Sequence, residues 1–117
     1  MVEDDSDLRE ALADCLRPDY AVDAYASGRS AINSARTKEY GLAIVDLGLP
    51  DMQGSSLIRS LRRSGYLFPV LVITALPDVE ERVAALDAGA SDYLTKPFSM
   101  GQLEERINVL LRRRRPD

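Results

Sequence analysis

Four apolar stretches of this sequence each end in side chains that can take part in chemistry. Two stretches end in carboxylates, one in a hydroxyl and one in an amine. Carboxylates that lie close together cannot all stay ionised without a cation, and ligands made only of oxygen favour a hard ion such as Mg²⁺. A lysine and a hydroxyl beside them supply what phosphoryl oxygens need, so we predict phosphoryl chemistry with Asp46 as the nucleophile. The side chains are those of Glu3 and Asp4, Asp46, Thr74 and Lys96.

Asp46 interrupts the apolar run at residues 42–47, which is followed by the turn residues of 48–54. An apolar run bounded by turn residues is typical of a strand that is buried on both faces. Asp46 should therefore lie near the carboxyl end of such a strand, where open α/β sheets place their ligand sites. A buried charge is costly unless it is paired, so Asp46 requires partners from other strand ends.

Helical and strand-like patterns alternate along the chain and can position these residues. The alternation predicts an α/β fold, (βα)5, with helices on both faces of a doubly wound parallel five-stranded sheet. In a parallel sheet all carboxyl ends lie at one edge, so the chemical side chains should converge there. The predicted strands cover residues 1–4, 20–25, 42–47, 68–74 and 92–96. The predicted helices cover residues 8–16, 27–39, 54–64 and 78–88, and a last one from about residue 100 to 112.

The first predicted strand is short. A buried strand usually has about five or six residues, whereas only Met1 and Val2 precede the acidic turn at Glu3 and Asp4. We therefore expect a truncated, frayed or rebuilt first strand, reduced stability, and a displaced Asp4 with weakened Mg²⁺ binding.

Composition restricts the possible functions. The 117 residues are 45% hydrophobic and 29% charged, which predicts one domain over residues 1–117. The net charge of −4 argues against nucleic-acid binding by the whole domain. One cysteine and no histidine exclude internal disulfides, Cys/His zinc sites and Ser-His or Cys-His catalysis, and Cys15 should be a small core residue. With no long apolar run and no signal peptide, we expect a cytoplasmic protein without membrane contact.

In order and spacing these residues resemble the receiver domain of response regulators in two-component signalling, which has a CheY-like fold. The resemblance extends over essentially the whole chain. Each motif is weak by itself, but together they are highly specific. The resemblance implies the strand order 2-1-3-4-5. The matching segments are residues 2–5, residues 45–50 with Gly54, residues 73–75 and residues 96–98.

The resemblance assigns a role to each residue at the acidic edge. It implies that Asp46 is the phosphoacceptor and that Mg²⁺ is the cofactor. Asp4 would bind Mg²⁺ directly together with Asp46, the backbone carbonyl of Gly48 would complete the metal shell, and Glu3 would act through a water molecule. Without its neighbours, the acidic segment would be read as a solvated start of a helix.

The remaining roles concern signal transmission. The resemblance implies that Lys96 binds the phosphoryl group, that Thr74 is the switch hydroxyl and Tyr93 the switch aromatic, and that Pro97 follows a cis peptide bond. Thr74 would move toward the phosphoryl group and Tyr93 would rotate inward, which reshapes the surface of the fourth helix, fifth strand and fifth helix. Tyr93 could also be an ordinary core residue.

Partners and kinetics follow from the same resemblance. The donor would be a cognate sensor histidine kinase that contacts residues 8–16 and the loop after Lys96. Gly48 and Leu76 lie two residues beyond Asp46 and Thr74, and neither side chain can polarise water. We therefore expect slow hydrolysis of the phosphoaspartate, so that a lifetime of only seconds would contradict this expectation.

Charges near the end of the chain resemble the dimer face of the OmpR/PhoB-like DNA-binding group. Asp92 and Arg106 would pair across a two-fold axis, whereas Gln102 and Asn108 stand where that group usually has charges. The alternative is a solvated helical face, and exposed pairs contribute little affinity. The proposed dimer-face residues are Arg82, Asp87, Asp92 and Arg106.

Four arginines occupy residues 112–115, just before Pro116 and Asp117. They could form a nucleic-acid patch, but a helix end that complements the helix dipole is the preferred interpretation. Residues 112–117 would then begin a linker to a missing output domain, and any DNA binding and control of transcription would belong to that domain.

Two other classes of protein remain as alternatives. A phosphatase of the haloacid dehalogenase type also uses a strand-end aspartate, a hydroxyl, a lysine and Mg²⁺, but Gly48 stands where its second aspartate would lie. A receiver-like interaction module that is never phosphorylated is the other alternative. Acetyl phosphate with Mg²⁺ separates them, because we expect a single phosphorylation rather than the continuous turnover of an enzyme.

Overall fold

In the part of the chain that the structure describes, the apolar stretches form three parallel strands and the amphipathic stretches form five helices. The computed structural model describes residues 1–75 and 79–114, and of residues 113 and 114 only the backbone. The strands are β1 (Ala43–Asp46), β2 (Val70–Thr74) and β3 (Asp92–Thr95). The helices are α1 (Ser6–Leu16), α2 (Gly28–Ala35), α3 (Gly54–Arg63), α4 (Val79–Ala88) and α5 (Met100–Arg114).

The three strands lie side by side in the order β1-β2-β3, and all run in the same direction. Asp46 pairs with Ile73, and Thr74 pairs with Thr95. The carboxyl ends of the strands therefore meet at one edge of the sheet, which brings Asp46, Thr74 and the residue after Thr95 together.

Within the described residues the sheet has three defined strands where five were predicted, because in each of the first two predicted strands only one residue forms a bridge. Val2 forms parallel bridges with Tyr25 on one side and Val45 on the other. The order of neighbours is still 2-1-3-4-5. The acidic turn ends the first segment at Glu3, so the pairing is limited to short contacts such as Val2 N to Ile44 O at 2.8 Å and Glu3 N to Tyr25 O at 2.9 Å.

Alternate strand residues form a core on each face of the sheet, as the doubly wound prediction requires. On one face, Val70 and Val72 pack with residues of α2, α3 and α4. On the other, Leu71 and Ile73 pack with residues of α1 and α5. No helix in the described ranges 1–75 and 79–114 is long and apolar enough to cross a membrane.

Two predictions about helices are corrected. α2 ends at Ala35 instead of continuing to residue 39. Cys15 is exposed and is not a core residue, because α1 turns Leu12, Ala13 and Leu16 toward the sheet. The apolar spacing located the helix correctly. The buried face of the helix, however, includes Ala13 and Leu16 and leaves out Cys15.

Arg62 joins two loops at the opposite end of the sheet from Asp46, the one between α3 and β2 and the one between α4 and β3. Its guanidinium donates hydrogen bonds to the backbone carbonyls of Tyr66 at 2.9 Å, Phe68 at 2.7 Å and Gly89 at 2.8 Å. Burial lowers the pKa of the Arg62 guanidinium. All three carbonyls accept hydrogen bonds from this guanidinium. The side chain thus substitutes for missing backbone donors where α3 and α4 end.

Arg62→Ala should lower the free energy of unfolding by about 2 kcal/mol, because partly buried carbonyls would lose a charged donor. Urea unfolding monitored by circular dichroism measures this change. Arg63→Ala is the matched control, since Arg63 is an exposed arginine of the same helical turn. Equal effects of the two substitutions would contradict a specific role for Arg62.

Candidate functional site

A lysine joins two carboxylates at the carboxyl edge of the sheet. The Lys96 Nζ atom lies 2.9 Å from Asp46 Oδ2, 3.0 Å from Glu3 Oε2 and 3.2 Å from Glu3 Oε1. Glu3 is only 1% exposed and Asp46 only 8% exposed. We call these three residues the edge cluster.

Backbone contacts from the neighbouring segments hold the two carboxylates in place. The Asp46 amide donates to Val2 O at 3.0 Å, which ties Asp46 to the first segment. The Gly48 amide donates to Asp46 Oδ1 at 3.0 Å, and the Asp5 amide donates to Glu3 Oε1 at 3.2 Å. One oxygen of Asp46 is therefore bound by the backbone and the other by Lys96.

The edge cluster carries one more negative than positive charge. Burial raises the pKa of Glu3, and the nearby Asp46 carboxylate raises it further, while Lys96 acts in the opposite direction. Burial alone would lower the pKa of Lys96, but its hydrogen bonds to Asp46 and Glu3 raise that pKa overall. The ammonium therefore stays charged, and the excess of negative charge favours a further cation.

Glu3 should make the metal-free protein sensitive to pH. Because its pKa is raised in the folded state, its stabilising contribution is full below the ordinary value of 4.5 and is lost as pH rises through the folded-state value. We expect Glu3→Gln to remove this loss, so that the variant gains stability relative to the wild type as pH increases.

Urea unfolding at a series of pH values without divalent cations tests this expectation. Glu10→Gln is the control, since Glu10 is an exposed glutamate of α1. A constant difference between Glu3→Gln and the wild type at all pH values would contradict the prediction.

Asp4 is exposed and lies outside the edge cluster. Its neighbour Asp5 caps α1 by accepting hydrogen bonds from the amides of Asp7 and Leu8, so the chain turns into the helix immediately. Arg9 binds the backbone carbonyls of Glu3 and Asp4 at 2.8 and 3.3 Å. Within the described residues, no group of three or more acidic, histidine or cysteine side chains is assembled to hold a metal ion.

Thr74 and Tyr93 lie on neighbouring strands beside the edge cluster. Thr74 is completely buried at the end of β2, and its carbonyl accepts a hydrogen bond from the Lys96 amide at 2.8 Å. Tyr93 pairs with Val72 and is partly buried. The guanidinium carbon of Arg82 lies 4.0 Å from the centre of its ring, which is a cation–π contact.

The loop between β1 and α3 is closed tightly at its base. The Gly54 amide donates to Leu47 O at 3.1 Å, and a Cβ atom at Gly54 would lie 2.7 Å from Leu47 Cα. Only glycine allows this close approach. The Lys96–Pro97 peptide bond is cis, so the prediction for this bond is confirmed. Leu76, whose side chain was expected not to polarise water, lies outside the described residues.

The residues of the proposed dimer face make contacts within one chain. Arg106 Nη1 lies 2.8 Å from Asp92 Oδ2, whereas the sequence resemblance placed this pair between two chains. Arg82 lies on Tyr93, and Asp87 is exposed on α4. An exposed apolar stripe on α4 was not predicted, although the spacing of four and three residues between its members is visible in the sequence. It consists of Val79, Val83 and Leu86.

The fold and the edge cluster together define a class of α/β proteins that carry an aspartate and a lysine at the carboxyl edge of a doubly wound parallel sheet. Within this class, the family model for the response regulator receiver domain matches residues 1–108. The chain therefore belongs to the response regulator receiver domain family.

Similar proteins are named as transcriptional or two-component regulators. The chain is 42% identical over 114 residues to the transcriptional regulatory protein PmrA of Pectobacterium parmentieri, covering 97% of this chain and 51% of that protein. It is 43% identical over 114 residues to the two-component response regulator PhoP of Pseudomonas aeruginosa, again covering 97% and 51%. The chain thus spans about half the length of these relatives.

Solved structures of receiver domains have the same fold. The crystal structure of FixJ-N superposes with a TM-score of 0.88 at 32% identity, covering 99% of this chain and 94% of that chain. A CheY-like receiver domain protein from Methanospirillum hungatei JF-1 superposes with a TM-score of 0.92 at 26% identity, covering 96% and 90%. These matches confirm the CheY-like fold predicted from the sequence.

Proposed function

We propose that this domain is a phosphorylation-dependent switch that accepts a phosphoryl group on Asp46 from a cognate sensor histidine kinase. The observation that carries the proposal is the geometry of Asp46. One of its oxygens is bound by the Gly48 amide at 3.0 Å, and the other lies 2.9 Å from the Lys96 ammonium. A carboxylate held in this way has a defined orientation beside a cation that can bind phosphoryl oxygens.

The transfer forms a bond between an Asp46 oxygen and phosphorus, while the bond from phosphorus to the donor atom breaks and its electron pair leaves with the donor. Lys96 is then close enough to bind a phosphoryl oxygen, and it gives up contact with a carboxylate to do so. Asp46 is restored when water displaces the phosphoryl group. The domain therefore catalyses only its own phosphorylation and slow dephosphorylation, and we do not class it as an enzyme.

The residues of the edge cluster fit Mg²⁺. Glu3 and Asp46 provide buried carboxylate oxygens, and their two negative charges exceed the one positive charge of Lys96. Asp46, the Gly48 carbonyl and Asp4 would hold the ion, with Glu3 acting through water. Asp4 would have to turn inward from its exposed position. When bound, Mg²⁺ neutralises charge on the phosphoryl oxygens.

The signal would pass from Thr74 to Tyr93. Thr74 is buried at the end of β2, the strand beside the one that carries Asp46, and its hydroxyl would move toward the phosphoryl group. Tyr93 would leave its contact with Arg82 when it rotates inward. This change would alter the face formed by α4, β3 and α5, which we propose as the output surface.

We also propose that phosphorylation favours a homodimer through this face. The exposed stripe of Val79, Val83 and Leu86 provides apolar area on α4. Asp92 and Arg106 would exchange their contact within the chain for the same contact across the two-fold axis, so the net gain from this pair is small.

The relatives that the chain matches over half their length include proteins named as transcriptional regulators. We propose that this domain controls transcription through a further DNA-binding domain. The sequence-based assignment of residues 112–117 to a linker partly falls on residues 115–117, which lie outside the described residues.

Treatment of the domain with acetyl phosphate and Mg²⁺ tests the proposal. We expect an increase in intact mass by one phosphoryl group, and light scattering of the beryllofluoride-treated protein should detect dimers. Continuous hydrolysis of acetyl phosphate without a stable adduct would indicate a phosphatase. No adduct under any of these conditions would indicate an interaction module that is not phosphorylated.

A further inference from the structure

A carboxylate outside the edge cluster links the phosphoacceptor loop to a distant helix. Asp51 Oδ1 accepts a hydrogen bond from the Gly28 amide at 2.9 Å, and Asp51 Oδ2 accepts one from the Arg29 amide at 3.0 Å. These hydrogen bonds lower the pKa of Asp51, so it is ionised at neutral pH. Both oxygens are therefore committed to the first turn of α2, where a negative charge is favourable.

The contact between the loop and α2 is close. A Cβ atom at Gly28 would lie 2.6 Å from the sulfur of Met52, the residue that follows Asp51. Ser27 caps the same helix independently by accepting a hydrogen bond from the Ser30 amide at 3.2 Å. The helix end thus has two kinds of cap, and only one of them comes from the loop.

The same loop carries the backbone of Gly48. Its base is closed by the hydrogen bond from the Gly54 amide to Leu47 O, and its first turn is held by the hydrogen bond from the Gly48 amide to Asp46 Oδ1. Leu49 and Met52 of this loop pack against the hydrophobic core, and Asp51 adds the hydrogen bonds that attach the loop to the start of α2. Without Asp51, the segment from residue 48 to 53 would be held at its two ends and by apolar contacts, which are less directional than hydrogen bonds.

We propose that Asp51 is a positioning residue for the phosphoacceptor site: by fixing the loop on α2, it keeps the Gly48 amide on Asp46 and the Gly48 carbonyl available to Mg²⁺. This inference rests on the proposed function, because it assigns Gly48 to the metal shell. It predicts that Asp51 affects metal affinity although its carboxylate binds α2 and not the metal.

Isothermal titration calorimetry with Mg²⁺ tests the inference. Asp51→Ala should raise the Kd for Mg²⁺ about tenfold, as is typical when a residue that orients a metal ligand is lost. Asp51→Asn should retain part of the affinity, because its amide oxygen can still accept one hydrogen bond. Ser27→Ala is the matched control, since it removes a cap from the same helix end without touching the loop.

Hydrogen exchange gives a second measurement that does not depend on the metal. In the metal-free protein, the Gly48 amide should exchange faster in Asp51→Ala than in the wild type or Ser27→Ala. Equal shifts in Kd for Asp51→Ala and Ser27→Ala would reduce Asp51 to a helix cap and overturn the inference. If Asp51→Ala does not fold, Asp51→Asn takes its place in both measurements. The inference would be overturned if Asp51→Asn bound Mg²⁺ with wild-type affinity although its Gly48 amide exchanged faster than in the wild type.

Failure of this inference differs from failure of the proposed function. A wild-type protein that binds Mg²⁺ and is phosphorylated, with unchanged affinity in Asp51→Ala, would exclude only the role of Asp51. A wild-type protein that neither binds Mg²⁺ nor accepts a phosphoryl group would exclude both.

Discussion

Asp46→Asn is expected to reduce phosphoryl acceptance from acetyl phosphate to below detection. The substitution keeps the size of the side chain and its hydrogen bond with the Gly48 amide, but an amide is a far weaker nucleophile than a carboxylate. Intact mass spectrometry after treatment with acetyl phosphate and Mg²⁺ measures the effect. If Asp46→Asn were still phosphorylated, the phosphoacceptor would have to be a residue other than Asp46.

Two controls make this result specific. Asp19→Asn removes an exposed carboxylate far from the sheet edge and should be phosphorylated normally. Urea unfolding in metal-free buffer should show that Asp46→Asn is at least as stable as the wild type, because one of the two carboxylates competing for Lys96 has lost its charge. A marked loss of stability would leave misfolding as the cause of inactivity.

Lys96→Met is expected to destabilise the metal-free protein by about 3 kcal/mol, because removing one partner of a buried ion pair leaves an uncompensated charge. Here two carboxylates, Glu3 and Asp46, would face each other without the ammonium that lies about 3 Å from both. Mg²⁺ should restore much of this stability, since it supplies positive charge to the same oxygens. Urea unfolding with EDTA and with excess Mg²⁺ measures both effects.

The chain provides a matched pair for comparison. Lys38→Met breaks the exposed contact between Lys38 and Asp23, which has a similar length of 3.1 Å. This control should change stability little and should not respond to Mg²⁺. The double variant Lys96→Met with Glu3→Gln should recover stability without metal, because one of the two carboxylates is then neutral. Equal losses in Lys96→Met and Lys38→Met would show that the edge cluster has no special electrostatic role.

The sequence was sufficient to locate the chemical residues at the ends of strands. Apolar runs of the right length predicted β1 and β2, and parallel direction then required Asp46, Thr74 and Lys96 to meet at one edge. The structure brings Asp46 and Lys96 into contact and places Thr74 beside them. Strand direction is readable from the alternation of helices and strands, which explains why this part of the prediction succeeded.

The pairing of the first segment and the burial of its acidic residues could not be predicted from the sequence pattern. The hydrophobic signal of the segment was too short to define a strand, and in the structure only Val2 of this segment forms bridges, one with Tyr25 and one with Val45. Glu3 and Asp4 have the same type of side chain and adjacent positions, so the sequence could not say which of them would be buried. The capping of α1 by Asp5 and the reach of Lys96 decide this, because they turn Glu3 inward and leave Asp4 exposed.

The sequence by itself therefore determined the order of the elements, the family and the residues available for phosphoryl chemistry, since these depend on residue type and spacing along the chain. Only the tertiary structure decided that Asp92 meets Arg106 within one chain and that Asp51 binds the start of α2. These contacts join residues 14 and 23 positions apart on separate elements. These contacts depend on the orientation of each helix about its own axis when it packs on the sheet. The local periodicity of the sequence does not predict that orientation.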